Sequence, residues 1–466
     1  MAKADLVRRY RERSLWLDGL DESLEPRPAL EGDVTVDVAI VGAGFTGLWT
    51  AWALLRAEPT LRVAIVEREI AGFGASGRNG GWISAGIAAD PAVYAARYGA
   101  DAVARAERST YDAVAEIGAI ATTEGIECDF HHGGLLLVAT SEAQERRLHG
   151  LLATRSEAGA GADDWRILNA AELASRARIS GARAALHSPH GARINPAKLA
   201  RGLASSVEGL GGVIYERSPA LDVNAGIVRT PRGRLSARSV LRATEAFTIE
   251  LPGESRRFLP LYSLMVATEP LPQRVWDDLG WNGRELIADL RHLFFYAQRT
   301  ADDRIALGGR GAPYALGSPI KEQFERSDEV RDRLVQTVKR HFPAAADAEI
   351  THHWGGALAI PRDWSMSVQY NRTTGLGSAG GYSGHGVVAA HLAGLTLADL
   401  VLERETALTA MPWVGHTTRN WEPEPLRFIA SRSIVSIMGS ADRAEETAPK
   451  TARRMKIIAP FVTGRA

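Results

Sequence analysis

Between Val34 and Glu67 the chain carries one continuous pattern that few folds can accommodate. Val34, Val36, Val38 and Ile40 alternate with other residues, and Gly42-Ala43-Gly44-Phe45-Thr46-Gly47 follows at once. A helix-like stretch then leads to Arg62-Val63-Ala64-Ile65-Val66-Glu67. Period-two alternation specifies a strand, and the whole predicts strand, tight turn, helix, second strand and terminal acid. Each residue type has a physical task. Gly42 permits the turn, Gly44 leaves room for a pyrophosphate beside the backbone, and Gly47 lets the helix approach the strand. Phe45 and Thr46 open a helix whose free N–H groups and positive dipole end favour phosphate. Glu67 lies 20 residues beyond Gly47, where its carboxylate, with Arg68 next to it, can accept both ribose hydroxyl hydrogens. This unit is suited to the ADP part of a dinucleotide.

The next segment separates the possible dinucleotides. A nicotinamide domain would resume its alternation of strand and helix after the acid. Here Ala71 to Ser84 holds Gly72, Gly74, Gly77, Gly80 and Gly81, a coil that lets backbone pass close to a large planar ligand. Ala75, Ser76, Arg78, Asn79 and Trp82 are interspersed and read as a cradle for phosphate and ring. A flexible surface loop is the plainer alternative.

At these residues the chain resembles the D-amino-acid-oxidase-like FAD-dependent oxidoreductases and, within that family, the gamma-glutamylputrescine oxidases, whose loop reads Ala-Ser-Gly-Arg-Asn-Gly-Gly as residues 75 to 81 do. A second shared signature is Gly380-Gly381-Tyr382-Ser383-Gly384-His385-Gly386-Val387, before an apolar helix from Ala389 to Leu402. The resemblance covers residues 34 to 402 and implies an α/β (α+β) fold, in which a Rossmann-like FAD-binding domain is interleaved with a mixed-sheet substrate-binding domain. It implies that Gly381, Ser383, Gly384, His385, Gly386 and Val387 meet the flavin, and that backbone near Ser218 and Ala220 meets the adenine. Relatives with covalent flavin use a cysteine or histidine near the ring. Cys128 does not match such a position, so noncovalent FAD is expected.

At 466 residues the chain is too long for one compact core. Lysine plus arginine and aspartate plus glutamate are both 55, so net charge is zero and gives no electrostatic case for nucleic acid. Arg8-Arg9-Tyr10-Arg11-Glu12-Arg13 predicts a solvated helix face. No window approaches the roughly 18 to 20 apolar residues of a membrane span, and the N-terminus lacks the apolar core of a secretory signal, so a cytoplasmic location is expected. A single cysteine excludes an internal disulfide and a cysteine zinc cluster.

Residues 31–90, 190–260 and 350–405 are expected to build the FAD domain, and 91–189 with 261–349 the substrate domain. Residues 1–30 read as helix and proline-containing linker. Residues 406–466 read as a helical extension with a basic end, packed on the domain interface. Pro91 to Ile126 predicts helix, Gly133 to Val138 a buried strand, and Asn195 a cap for a helix opening at Pro196. Gly212 to Glu216 predicts a strand, Leu221 to Val240 a ribbon, and Phe294–Arg299 with Arg304–Gly309 neighbouring strands about Asp302-Asp303. In Val240 to Phe247, Thr244 stands where relatives bind the cofactor, but Glu245 replaces the usual glycine or asparagine. A carboxylate near pyrophosphate would repel it, so Glu245 is expected to point away or pair with a cation.

Several constellations fail. Gly381-Tyr382-Ser383-Gly384-His385 lacks the final glycine of a nucleophile elbow. His131-His132 and His352-His353 are adjacent pairs that point to opposite faces on strands and cannot readily chelate one metal. Trp82 and Trp354 border glycine pairs and are candidates for contact with the flavin.

The resemblance implies removal of hydride from carbon beside an amine, with no obligatory general base. A helix N-terminus at Gly384 to Val387 would stabilise negative charge gained by the ring. His385 could tune the flavin, orient the amine or cap the helix. Arg310, flanked by glycines, is a candidate for fork-like pairing with a substrate carboxylate or phosphonate, with Tyr262 and Tyr296 lining the pocket. An ordinary surface arginine and two core tyrosines are the plainer reading. The expected partners are a small amine or amino-acid-like substrate and either oxygen or an electron carrier. A flavin hydroxylase would carry Gly-Asp where this chain has Gly375-Leu376-Gly377-Ser378, and a non-catalytic flavin scaffold stands as a further alternative.

Overall fold

In the computed structural model, which describes residues 3–311, 314–447, 452, 454 and 455, Val34–Val41 is a strand whose C-terminal half is buried. Val63–Val66 and Gly233–Arg242 flank it in parallel. The sheet continues to Val213–Tyr215 on one side and to Leu376–Gly380 and Ser367–Asn371 on the other. The Asp222–Asn224 and Ile227–Thr230 ribbon pairs onto Gly233–Arg242. Helices Phe45–Ala57 and Gly386–Val401 cross closely beside this sheet, and a Cβ at Gly394 would lie 2.6 Å from the Trp49 side chain.

A second eight-stranded sheet runs Ile350–Ile360, Leu259–Thr268, Ile305–Gly309, Phe295–Arg299, Leu286–Asp289, Leu135–Ala139, Ala184–Ser188, Arg166–Asn169. It is mixed, because Leu286–Asp289 pairs in parallel with Leu135–Ala139 while its other pairings are antiparallel. The two apolar faces of this sheet and the first account for the two largest clusters of buried side chains.

The cap expected at Asn195 is present. Asn195 Oδ1 accepts from the N–H groups of Ala197 and Lys198, at 3.1 Å each, and caps Pro196–Gly209. The helix expected over Pro91 to Ile126 is broken into Pro91–Tyr98 and Ala100–Thr123, because Gly99 at φ +88° ends one and begins the other. One boundary differs. The cofactor segment expected from residue 350 begins later, since Ile350–Ile360 pairs with Leu259–Thr268 and the chain rejoins the first sheet only at Ser367.

The N-terminal basic run is also more than a solvated face. Tyr10 is fully buried and its hydroxyl donates to Glu69 at 2.8 Å, while Arg13 is buried against Glu325 at 2.9 Å. The long-range partners decide this, and the local pattern cannot show them. The linker is held equally firmly. Glu216, wholly buried, accepts from the backbone of Ala71 at 2.7 Å, from the backbone of Arg27 at 2.7 Å and from the Arg27 guanidinium at 3.0 Å. Removing one partner of a buried, hydrogen-bonded ion pair costs about 3–5 kcal/mol. Glu216→Gln is therefore expected to lower the unfolding free energy by about that amount, read from thermal or urea unfolding of the holoprotein. An unchanged midpoint would show that the linker is not a structural strap.

Candidate active site

Side chains from both sheets line one cavity of about 1030 Å³. At one end stands the glycine turn. A Cβ at Gly47 would lie 2.0 Å from the Gly42 carbonyl oxygen, and Gly42 itself has φ +105°. Both glycines are thus required by backbone, as the sequence pattern predicted. Gly44 meets no backbone, only the Ser76 hydroxyl at 3.0 Å. Glu67 borders the cavity, and its two oxygens accept from the N–H groups of Ala43 at 2.8 Å and Glu69 at 2.9 Å. Those bonds aim the carboxylate and leave lone pairs for further donors, while burial raises its pKa. Arg68 lies over the Phe247 ring at 4.4 Å and pairs with Glu250 at 2.5 Å, and Ala220 and Thr244 complete this end.

The second loop serves mainly to brace the first. Ser76 Oγ accepts from Phe45 N at 2.8 Å, and Thr46 shares a 2.7 Å hydrogen bond with the Tyr382 hydroxyl. Asn79 donates to the carbonyls of Ala75 and Ser76 and accepts from Gly81 N. Arg78, read from sequence as part of a phosphate and ring cradle, borders the cavity but turns its charge to Glu325 at 2.7 Å and donates to the Gly355 carbonyl at 3.2 Å. Gly80 and Gly81 make room for Tyr296 and Gln298, whose atoms a Cβ would meet at 2.6 and 2.1 Å. Ala75 borders the cavity directly. Trp354 is a strut, its indole N–H donating to the Arg78 carbonyl at 2.9 Å, whereas Trp82 lines the cavity edge-on to Tyr296.

Glu245 meets no cation among the described residues; its oxygens accept from the N–H groups of Ala359, Gly381 and Tyr382, each at 3.0 Å. Burial nevertheless outweighs those bonds and raises its pKa to about 7. Beside it, Gly381 and Gly384 take φ +83° and +101°, and Ser383 takes φ +51°. This bend delivers the first turn of Gly386–Val401 to the cavity, with Ser383, Gly384, His385, Gly386 and Val387 on its wall.

At the other end, Arg310 lies over the rings of Phe294 at 4.7 Å and Trp364 at 5.5 Å, and no carboxylate among the described residues pairs with it. Burial lowers its pKa to about 10, so it stays protonated at neutral pH. His385 faces the same space. The ring is open to the cavity, but desolvation there, with the charges of Arg310 and Arg155, lowers its pKa to about 4 and keeps it neutral. The ring makes no capping hydrogen bond to its helix. Tyr296 and Tyr262 contribute ring surface only. The Tyr296 hydroxyl bonds Ser263 Oγ at 2.8 Å, and that of Tyr262 bonds the Pro319 carbonyl and Lys321 N–H. Sequence reasoning missed Arg155, Phe294, Trp364 and Tyr382; only Tyr382 lay within a recognisable signature.

The remaining histidine pairs are satisfied by backbone or side-chain partners. Cys128 is buried away from the cavity lining, and burial pushes its thiol up to about 11.

A glycine turn, a brace of loops and a helix N-terminus around one cavity are the parts of a dinucleotide site. The chain belongs to the DAO family of FAD-dependent oxidoreductases, whose model matches residues 37–400. It is similar to the gamma-glutamylputrescine oxidoreductase of Escherichia coli (strain K12), 30% identical over 410 residues that cover 83% of this chain and 89% of that one. Among solved structures, glycine oxidase from Geobacillus kaustophilus matches with a TM-score of 0.69 at 21% identity, covering 83% of this chain and all of the other. The L-amino acid deaminase of Proteus vulgaris, solved without its specific insertion, matches with a TM-score of 0.65 at 21% identity over 84% of this chain and 96% of that one. The residues present fit FAD: the glycine turn leaves backbone clear, Glu67 is aimed at the groove, and the cavity is large enough for cofactor and substrate together.

Two outcomes follow for the acids. A glutamine at position 67 can accept through one oxygen only and sets an N–H₂ against a backbone donor, so Glu67→Gln is expected to weaken FAD binding by about tenfold to a hundredfold in a titration of apoprotein. For Glu245 the folded pKa is raised, so its contribution to stability is fully present below the ordinary carboxylate range and is lost as pH rises through about 7. Between about pH 5 and pH 8 the protein should therefore lose up to about 3 kcal/mol relative to Glu245→Gln, measured by chemical unfolding at each pH. Parallel pH profiles would contradict this.

Proposed function

We propose that this protein oxidises the C–N single bond of an amine or amino acid that bears an acid group. The product is an imine that water hydrolyses to a carbonyl compound, with oxygen reduced to hydrogen peroxide. The overall balance is amine plus oxygen plus water giving carbonyl compound, released amine or ammonia, and hydrogen peroxide. The observation that carries this reading is Arg310, a protonated, ring-backed guanidinium on the cavity wall with no carboxylate partner among the described residues. Such a group calls for an anion, and its planar fork suits a carboxylate. The names of the relatives, an oxidoreductase of gamma-glutamylputrescine, a glycine oxidase and an L-amino acid deaminase, support an amine or amino-acid substrate.

Gly42, Gly44, Gly47 and Glu67 would hold the ADP part of FAD, and the first turn of Gly386–Val401 would meet its ring. Bound FAD supplies the acceptor for the hydride that leaves the carbon beside nitrogen. Everything else is arranged by the chain. Arg310 fixes the acid end of the substrate and so orients the reacting carbon. The positive charge of Arg310 disfavours an ammonium group nearby, which promotes the neutral, reactive amine. Neutral His385 can accept a hydrogen bond from that amine without adding charge. The helix N-terminus favours negative charge developing beside it. With Cys128 removed from the cavity, the cofactor is held without a covalent link to cysteine, and acid precipitation should release intact FAD into the supernatant.

An oxygen electrode with a panel of acidic amines tests the reading. Oxygen uptake with stoichiometric peroxide is expected; anaerobic bleaching of the flavin without oxygen uptake would make the enzyme a dehydrogenase. Arg310→Lys should lower kcat/KM for the acidic amine by at least about tenfold, or roughly 1.4 kcal/mol, chiefly through KM, because an ammonium cannot reproduce the fork. An uncharged amine should be turned over equally by both proteins. Unaltered kinetics in Arg310→Ala would place the anion clamp elsewhere.

A further inference from the structure

Helix Leu426–Thr447 lies beyond the segment matched by the family model, yet it closes one side of the catalytic cavity. Leu426, Ala430, Ile434 and Met438 recur every fourth residue, with Ser431 and Val435 beside them, and this single stripe faces the cavity. Its middle is not ordinary core. Ile434, Val435 and Met438 remain partly exposed, and Ala430 is exposed, because they border open space in place of packed neighbours.

Both ends of the helix are pinned by polar contacts. At the N-terminal end, Glu424 accepts from the Tyr314 hydroxyl at 2.5 Å and Gly317 N at 3.1 Å, and Arg427 donates to the Ser255 carbonyl at 3.2 Å. At the C-terminal end, Asp442 accepts from the N–H groups of His292 and Leu293 at 2.8 and 2.9 Å, and Glu445 pairs with Arg147 at 2.7 Å. His292, Asp442 and Glu445 have the spacing of a metal group, but these backbone donors and the guanidinium already satisfy the acids, so the cluster acts as a clamp. From Ala430 to Met438 the only side-chain hydrogen bond among the described residues is Ser431 to its own helix. A span fixed at its ends, apolar in its middle and open to the reaction cavity is built as a wall.

We propose that Leu426–Thr447 is the selectivity wall of the enzyme, taking the apolar arm of a substrate whose acid group is held by Arg310. The substrate class is thereby narrowed to amphiphilic amines, acidic at one end and apolar along the arm that lies on this helix. This rests on the acid-pairing reading of Arg310, and the two can fail separately.

The test uses the holoprotein and unbranched monocarboxylates from acetate to octanoate, which lack an amine and are not turned over. Dissociation constants come from perturbation of the bound flavin's absorbance and from calorimetry. In the parent protein affinity should climb by about two- to fourfold per methylene beyond butanoate, the range expected for apolar burial. Ile434→Ser and Met438→Ser should flatten that climb from its long-chain end, and Ala430→Trp should reject octanoate most strongly. These positions are partly or fully exposed, so the fold is retained, which a thermal melt checks. Arg310→Ala should weaken the whole series in parallel by tenfold or more. An identical chain-length increment in all three helix variants, or no increment in the parent, overturns the wall. Acetate affinity unmoved by Arg310→Ala overturns the acid pairing instead, while the increments still decide the role of the helix.

Discussion

Three backbone N–H groups converge on the carboxylate of Glu245, and much of the site geometry depends on that convergence. Ala359 belongs to a strand of the second sheet, whereas Gly381 and Tyr382 form the bend after the last strand of the first. One side chain therefore ties the two sheets together at the point where the cavity passes between them. The bend it holds places Ser383 at positive φ, a strained conformation for a non-glycine residue, between two glycines that adopt positive φ without that cost. Buried N–H groups without acceptors would be costly, and the carboxylate supplies three at once. From the bend onward the start of Gly386–Val401 has little freedom, and its first turn is placed at the cavity wall. The Thr46 to Tyr382 hydrogen bond then links that wall to the glycine turn.

The cavity is electrically polarised along its length. Its cofactor end presents Glu67, held by backbone donors, and its substrate end presents Arg310, backed by aromatic faces, with Arg155 nearby. Glu107 partners Arg155 and Glu445 partners Arg147, so those two cations are largely balanced while Arg310 is not. Aromatic rings are well suited to support a cation without neutralising it, since their quadrupole attracts the guanidinium and leaves its edge donors available. An anion entering this space would find in Arg310 a fork without a carboxylate partner among the described residues.

How much of this was legible in the sequence varies with the distance over which each residue acts. Gly47 was readable because its neighbours in space, Gly42 and Ile40, are also neighbours in the chain, and the same holds for the Asn195 cap and the strand pair about Asp302-Asp303; Gly42 was readable from its place in the turn, although the backbone it approaches is that of Ala243. Arg310 could be singled out by its flanking glycines, though the rings beneath it gave no signal. Arg78 and Tyr262 both border the cavity as expected, but the partners of their polar atoms, Glu325 and the 319–321 segment, are too distant in the chain to be read from it. Glu245 was flagged as anomalous from electrostatics, yet its partners could not be named, because backbone donors leave no mark in a sequence. The helix at Leu426–Thr447 had no motif at all; an every-fourth apolar stripe is indistinguishable from core packing until the space in front of it is known.

The N-terminal helix offers a consequence for how the molecule is assembled in time. Arg13 reaches Glu325, 312 positions further along, and Glu325 in turn holds Arg78 in the loop that braces the glycine turn. Arg13 thus depends on a partner 312 positions later in the sequence. Contacts of such sequence separation form slowly, since the loop-closing entropy comes before the reward. Closing the brace around the glycine turn therefore carries a long-loop entropy cost, because it joins Arg13 and Arg78 to a residue far along the chain.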